Sequence, residues 1–410
     1  MNLPFAGLRV VDAASFLAGP GAGTVLGDFG ADVIKIEPPG GDGYRQLHGG
    51  YQVDYNWQLT SRNKRSLALD LTQPAGQQIL LELIDRADVL LVNLFPRQLA
   101  RYGLEYEALR ARNPRLIYAH MSGYGTEGPD GERRAFDTTA WWARSGMMDM
   151  VREAGQPPVV GAPGFGDHSS AMSLFGAVAM ALYQRERTGE GSRVATSLLA
   201  NGVWANGMQV QGAIAGFDLA ERRQRKGWLN PFTSVYPSAD GRYVIFAMTN
   251  AMREWPGVCD ALGHREWLDD PRFADFVSIM RHRRELIALI SESTRALTLS
   301  ELCARLDRAD LTYGVVTHLA EVIDDPQLLA NGILVDTGSA DPLYPRTVAN
   351  PIRLDGVDPR CAGPAPALGE HSRAVLAELG LSAREIEELV RSGVVVAGPS
   401  GPEQGAGDAD

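Results

Sequence analysis

Asp167 closes the segment Gly161-Ala-Pro-Gly-Phe-Gly-Asp167 and stands at the mouth of a long apolar stretch that runs to Arg187. Glycine lets a backbone approach a ligand closely, and an acid in the first turn of a helix gains from the local dipole. Two roles fit this placement: a carboxylate nucleophile beside a ligand, or an N-cap aspartate that merely closes the helix start. Asn63-Lys-Arg-Ser66 puts two cations on a short segment before a strand-like Leu67-Ala-Leu-Asp70, and Arg45 and Arg101 are further cations of interest. Lys and Arg are the side chains that hold phosphate oxygens, although a basic pair is as readily solvated surface charge. Gly19-Pro-Gly-Ala-Gly23 lies between a strand and a helix but is not GxGxxG, and Pro20 removes an amide from any phosphate cradle. It reads either as a nucleotide contact or as a tight turn with close helix packing. Gly123-Tyr-Gly-Thr-Glu-Gly128 fits GxGxxG by letter, yet Pro129-Asp-Gly follows it, so it reads as a loop. His168 adjoins Asp167, but no HxxxH spacing supports a metal, and no GxSxG supports a serine hydrolase.

The elements that must position these groups alternate. Leu8–Asp12, Asp32–Glu37, Asp88–Asn93, Arg115–His120 and Arg193–Ser197 read as strands, with helices over Ala18–Phe29, Gln73–Asp85, Gly166–Arg187 and Leu198–Ala215. This β-α-β order predicts an α/β fold, a parallel sheet with helices on both faces. Such sheets take ligands at the carboxyl ends of their strands. After the basic connector Arg222–Lys226 the pattern changes to a hairpin across Ser238–Gly241 and at least three helices. The expected organisation is a Rossmann-like large domain over 1–221 and a smaller α+β domain over 229–323. A return segment, 324–396, completes the large domain and ends in a helix near Ser372–Leu389, before a disordered tail over 397–410.

The bulk composition narrows the function. The chain has 410 residues, 45% hydrophobic, enough for more than one core. Its formal charge of −11 argues against nucleic acid as a main partner, because phosphate binding needs clustered cations. Cys259, Cys303 and Cys361 are far apart and lack metal or redox spacing, as in a reducing compartment. No leader-like or membrane-spanning apolar run is present, so a cytoplasmic protein is the expectation.

Taken together, the motifs resemble the family III CoA-transferases, which share their fold with α-methylacyl-CoA racemase. The resemblance runs over residues 5 to 395 in one order. It includes Leu8-Arg-Val-Val-Asp12, Ala18-Gly-Pro20, Leu26-Gly-Asp-Phe-Gly-Ala-Asp-Val-Ile-Lys-Ile-Glu37, Asn63-Lys-Arg-Ser66, Ala87-Asp-Val89, Asn113-Pro-Arg115, Gly123-Tyr-Gly125, Gly166-Asp167, Arg187-Thr-Gly-Glu-Gly191 and Ala365-Pro-Ala-Leu-Gly-Glu-His371. It implies a ring-shaped subunit in an interlocked homodimer, and acyl-CoA and a carboxylic acid as substrates with no permanent cofactor. It also implies Asp167 as the residue that carries covalent intermediates. Ser15, Phe16 and Ala18 then occupy the loop beside the CoA thiol arm. Lys64, Arg101 and Arg134 match positions near CoA phosphates and adenine. Leu17 falls where some relatives have glutamine, and Asp137 where relatives keep an acid beside the active site.

Two departures sharpen the expectation. Racemases carry a histidine directly before that acid; here the residue is Phe136, and carbon-acid chemistry needs a base on each face of the substrate. The glycine-rich lid of formyl-CoA transferase is replaced by the bulky, basic Arg222–Leu229. A CoA-transferase is therefore expected, ahead of a racemase or epimerase and of a non-catalytic acyl-CoA binder. Phe16, Trp141, Trp142 and Met147 suit an apolar or aromatic acyl pocket, or simple packing.

Overall fold

The computed structural model describes residues 3–47, 50–153, 155–217 and 229–398. Six parallel strands form the main sheet: β1 (Arg9–Asp12), β2 (Asp32–Glu37), β3 (Lys64–Leu69), β4 (Val89–Val92), β5 (Ile117–Ser122) and β6 (Arg193–Ser197). Their order is 3-2-1-4-5-6, the doubly wound arrangement, so the chain reverses direction across the sheet between β1 and β4. A last strand, Val395–Val396, pairs antiparallel with the outer edge of β3. It was absent from the sequence expectation because two residues are too short for a periodic signal.

Burial on both faces explains why β4 and the middle of β1 and β5 are continuous apolar runs. Val10 and Leu91 face one core, with Leu26, Leu174 and Val178. Val11 and Leu90 face the other, with Leu80, Leu83 and Leu376. In this part of the chain the helices are α1 (Ala18–Asp28), α2 (Tyr55–Ser61), α3 (Pro74–Asp85), α4 (Pro96–Tyr102), α5 (Tyr106–Arg112), α6 (Met147–Val151), α7 (Phe165–Thr188), α8 (Leu198–Ala205) and α9 (Gly207–Ile214). Gly19-Pro-Gly-Ala-Gly23 lies wholly inside α1, and a Cβ on Gly21 would stand 2.9 Å from the Ala171 methyl of α7. Close helix packing is therefore its role. The expected helix over Leu198–Ala215 is two, broken at Asn206. The last helix also divides, at Gly380, whose φ of 103° ends Ser372–Leu379 before Ala383–Arg391 begins.

The chain divides into two compact units. One comprises Met1–Arg152, Pro157–Gly216 and Gln327–Asp410; the other comprises Glu153–Gln156 and Phe217–Pro326. In the second, Val235–Pro237, Tyr243–Phe246 and Tyr313–Val315 make an antiparallel sheet packed on helices through Phe232, Trp255, Phe273 and Leu302. The connector Arg222–Lys226 and the tail from Pro399 lie outside the described residues.

Candidate active site

In a β-α-β unit the helix runs antiparallel to the strands, so its N-terminus sits at their carboxyl edge. α7 precedes β6 and packs on β5 and β6, which brings its first turn to that edge. Gly164, at φ 94°, starts the helix, and Asp167 is the third helical residue, without a capping bond. The N-cap role for Asp167 is thereby corrected: Gly164 occupies that position. Glycine is required around it for room. A Cβ on Gly166 would stand 2.5 Å from Trp141 Cγ, and one on Gly161 would stand 2.2 Å from Trp142 Cε2. The two tryptophans lie on a π-helical turn, Thr138–Ala143, and pack against each other at 4.9 Å. They hold the approach to α7 in place, Trp141 buried and Trp142 partly exposed.

Asp137 precedes that turn. It is 3% exposed, and its Oδ2 accepts the Gly164 N–H at 2.6 Å. The remaining first-turn amides, those of Phe165, Gly166 and Asp167, have no acceptor within the helix. Burial, and then the charge of Asp137, push the Asp167 carboxyl from 3.8 up to about 7. This outweighs the helix dipole, which favours the ionised form. The outcome is a half-buried carboxylate of raised basicity beside unspent N–H donors.

The loop after β1 forms the opposite wall. The Ser15 N–H donates to Asn93 Oδ1 at 3.0 Å, and Asn93 Nδ2 donates to the Ser15 carbonyl at 2.8 Å. This bridge spans the β1/β4 reversal point. Phe16 follows with φ 63°, a conformation that costs a bulky residue roughly 1–3 kcal/mol. The Asp42 carboxylate offsets that strain. Its Oδ1 accepts the Phe16 N–H at 3.1 Å and the Tyr44 N–H at 2.9 Å. Its Oδ2 lies 3.1 Å from Lys35 Nζ, both side chains being 1% exposed. Lys35 also donates to the Ala14 carbonyl at 2.5 Å. Burial opposes the Lys35 charge, but Asp42, Asp12 and Glu37 outweigh it and hold its pKa above the ordinary value. Leu17, 3% exposed, stands within van der Waals reach of the position a Gly164 Cβ would take, and Ala18 opens α1.

The cations fare differently from one another. Lys64 was expected near a CoA phosphate, and the structure places it in the interior. β3 begins at Lys64, not at Leu67, and strand alternation turns its side chain inward. Its Nζ meets Asp12 Oδ2 at 2.9 Å and the Pro20 carbonyl at 2.6 Å, with both charged side chains 0% exposed. Burial, opposed by Asp12, lowers its pKa. Arg45 is also spent, on Glu37 at 2.7 Å and over the Trp57 ring. Arg101, in the last turn of α4 with its guanidinium 5.6 Å from the Tyr102 ring, and Arg134, in the loop after β5, are exposed. Among the described residues no group of three His, Cys, Asp or Glu is placed to hold a metal ion.

Sequence reasoning missed Lys35, Asp42, Tyr44 and Asn93. Lys35 had a signal: a lysine between Ile34 and Ile36 in an otherwise apolar central strand must find an internal partner. Asp42 shows in sequence only as a local cap before Gly43, through the Tyr44 N–H, while its bond to Phe16 and the bond of Asn93 to Ser15 join backbone distant in sequence.

The family model described as "CoA-transferase family III" matches residues 5–372. "(R)-2-hydroxy-4-methylpentanoate CoA-transferase" of Clostridioides difficile is 31% identical over 95% of this chain and 98% of its own. "Succinate--glutarate CoA-transferase" of Agrobacterium fabrum is 33% identical over 92% and 96%. A crystal structure of a CAIB/BAIF family protein from Brucella suis superposes with a TM-score of 0.80 at 31% identity, covering 92% of this chain and all of that one.

Proposed function

Because the chain belongs to CoA-transferase family III, we propose that this CoA-transferase moves CoA from an acyl-CoA to a free carboxylic acid through covalent intermediates on Asp167. The observation that carries the mechanism is a half-buried carboxylate with no capping duty, set beside free first-turn amides.

The Asp167 carboxylate attacks the thioester carbonyl, the C–S bond breaks, and CoA leaves as thiolate with Asp167 in a mixed anhydride. The thiolate then attacks Asp167 Cγ, which releases the first acid as carboxylate and leaves an aspartyl thioester. An incoming carboxylate displaces the thiolate from Cγ to form a new anhydride, and the thiolate takes the new acyl group and frees Asp167. Each step exchanges one nucleophile for another and requires no net proton transfer, so no general base is needed. Splitting the exchange lowers each barrier. The amides of Phe165, Gly166 and Asp167 suit the oxyanions, and one such donor is typically worth about 10²–10³ in rate. Burial restrains hydrolysis of the anhydride.

Arg101 and Arg134 are the proposed phosphate contacts; Ser15, Phe16 and Ala18 flank the thiol arm. Phe136 in place of an acid–base histidine favours transfer over racemisation. The working unit in this reading is an interlocked homodimer. Trapping with hydroxylamine during turnover, followed by peptide mapping, tests the mechanism. Label on Asp167 is expected; label on another acid, or none, refutes it.

A further inference from the structure

We propose that Phe136, braced by the strained Phe16, is the specificity-determining residue that admits monocarboxylic acids with apolar chains and rejects dicarboxylic ones. This rests on the CoA-transfer reading and names the acid that the same site takes.

Both aromatic side chains sit one residue from groups that frame the nucleophile. Phe136 precedes Asp137, which binds the Gly164 N–H at the start of α7. Phe16 precedes Leu17, which lies against Gly164 from the other side. Their rings meet edge to face at 5.6 Å, and Phe16 meets Tyr44 at 6.5 Å. Tyr44 in turn lies close enough to Asp167 to feel its charge. The three rings therefore form one cluster, joined to the start of α7 through Asp137 and Leu17.

Phe136 is the member left open, at 57% exposure, though its backbone is fixed. Its N–H donates to Thr139 Oγ1 at 3.0 Å, and its carbonyl accepts the Ala140 N–H at 2.9 Å. An uncovered phenyl ring on a fixed backbone, next to Asp137 at the start of α7, offers apolar surface to a chain attached to the reacting carbonyl. Phe16 shows that this arrangement is costly to maintain. A phenylalanine at φ 63° persists only where its surroundings over-determine it. Here the buried Lys35–Asp42 pair does so, through bonds to Ala14 and Phe16. In a relaxed, extended conformation the Phe16 ring would swing away from Phe136.

A second carboxylate on the acid would meet apolar aromatic surface and the field of Asp137. It would lose hydration without a paired cation among the side chains gathered here, which is the costly case for a charge. A branched aliphatic or aryl chain gains from the same surface.

The test uses the full-length enzyme with isovaleryl-CoA as donor and either 4-methylpentanoate, 3-phenylpropanoate or glutarate as acceptor, with CoA ester exchange followed by mass spectrometry. The apolar acids should exceed glutarate in kcat/KM by at least about tenfold. Phe136→Ser should lower kcat/KM for the apolar acids about tenfold, mainly through KM, and raise that for glutarate. Phe136→Leu should restore most of the loss. Because Phe136 is exposed, neither variant removes core packing. Equal use of glutarate by the wild type, or an equal fall for every acid in F136S, overturns the pocket while CoA transfer stands. Transfer to none of the acids overturns both.

Discussion

Replacing Lys64 by Met separates an internal charge from a ligand contact. The Nζ group has two partners, Asp12 at 2.9 Å and the Pro20 carbonyl at 2.6 Å, in a space where neither charged side chain is exposed. Space is tight as well: a Cβ on Gly23 would stand 3.2 Å from Asp12 Oδ2 and 3.4 Å from Lys64 Nζ. Removing one member of a buried pair costs about 3–5 kcal/mol, mostly because the survivor is left charged and dry. Two contacts reduce the penalty here. Asp12 Oδ1 keeps the Ala14 N–H at 3.3 Å, and Asp12 still faces the charge of Lys35. We therefore expect the lower figure, about 3 kcal/mol, for K64M. In urea, followed by tryptophan fluorescence, this is a fall in midpoint of roughly 1 M. The double variant D12N/K64M removes both charges and should recover most of the loss, a coupling of about 2 kcal/mol. The KM for acyl-CoA in folded K64M should stay within about twofold of wild type, since losing a charge-assisted phosphate contact would move it by tenfold or more. An unchanged unfolding midpoint with a tenfold higher KM would refute the assignment and return Lys64 to the ligand.

The remaining predictions bear on the site. Asp167→Asn should abolish transfer, and wild-type kcat/KM should fall tenfold per pH unit below about 7, where the carboxylate is lost. The stability sign is opposite: the folded state holds the proton more tightly than the unfolded one, so Asp167 costs stability as pH rises from about 4 through 7. D167N should therefore be more stable than wild type at pH 8, by about 1–3 kcal/mol, and equal to it at pH 3 by urea titration; a less stable variant at pH 8 contradicts the raised pKa. Arg101→Met should raise the acyl-CoA KM about ten- to a hundredfold at low salt and leave that of the acid alone, whereas parallel changes would mark a structural role. Gly166→Ala drives a methyl into Trp141 and should reduce kcat about a hundredfold, with intact far-ultraviolet circular dichroism; unchanged kcat would show that the helix start has room. Sedimentation equilibrium at micromolar concentration should show a dimer, and a monomer would count against the interlocked assembly.

Local pattern was enough to locate most of the sheet and the acid at its edge. β2 and β6 occupy the residues read from the sequence, β2 because an apolar run bounded by turns has few other solutions in a parallel sheet. Asp167 was legible because three glycines before a long helix mark a backbone that must make room. What that room was for depended on Trp141 and Trp142, which only the fold brings against Gly166 and Gly161. Tertiary structure also decided the fate of each charge. Lys64 and Arg101 look alike as letters, yet a strand that starts three residues early buries one, and the last turn of a short helix exposes the other. Lys35, Asp42 and Asn93 serve the loop after β1 from other elements, and each bond they make there depends on where the sheet places its strands. Helix and strand follow from neighbours a few residues apart, which a sequence displays. The bonds that fix the loop after β1 and hold Lys64 join residues from 26 to 78 positions apart, and only packing brings them together.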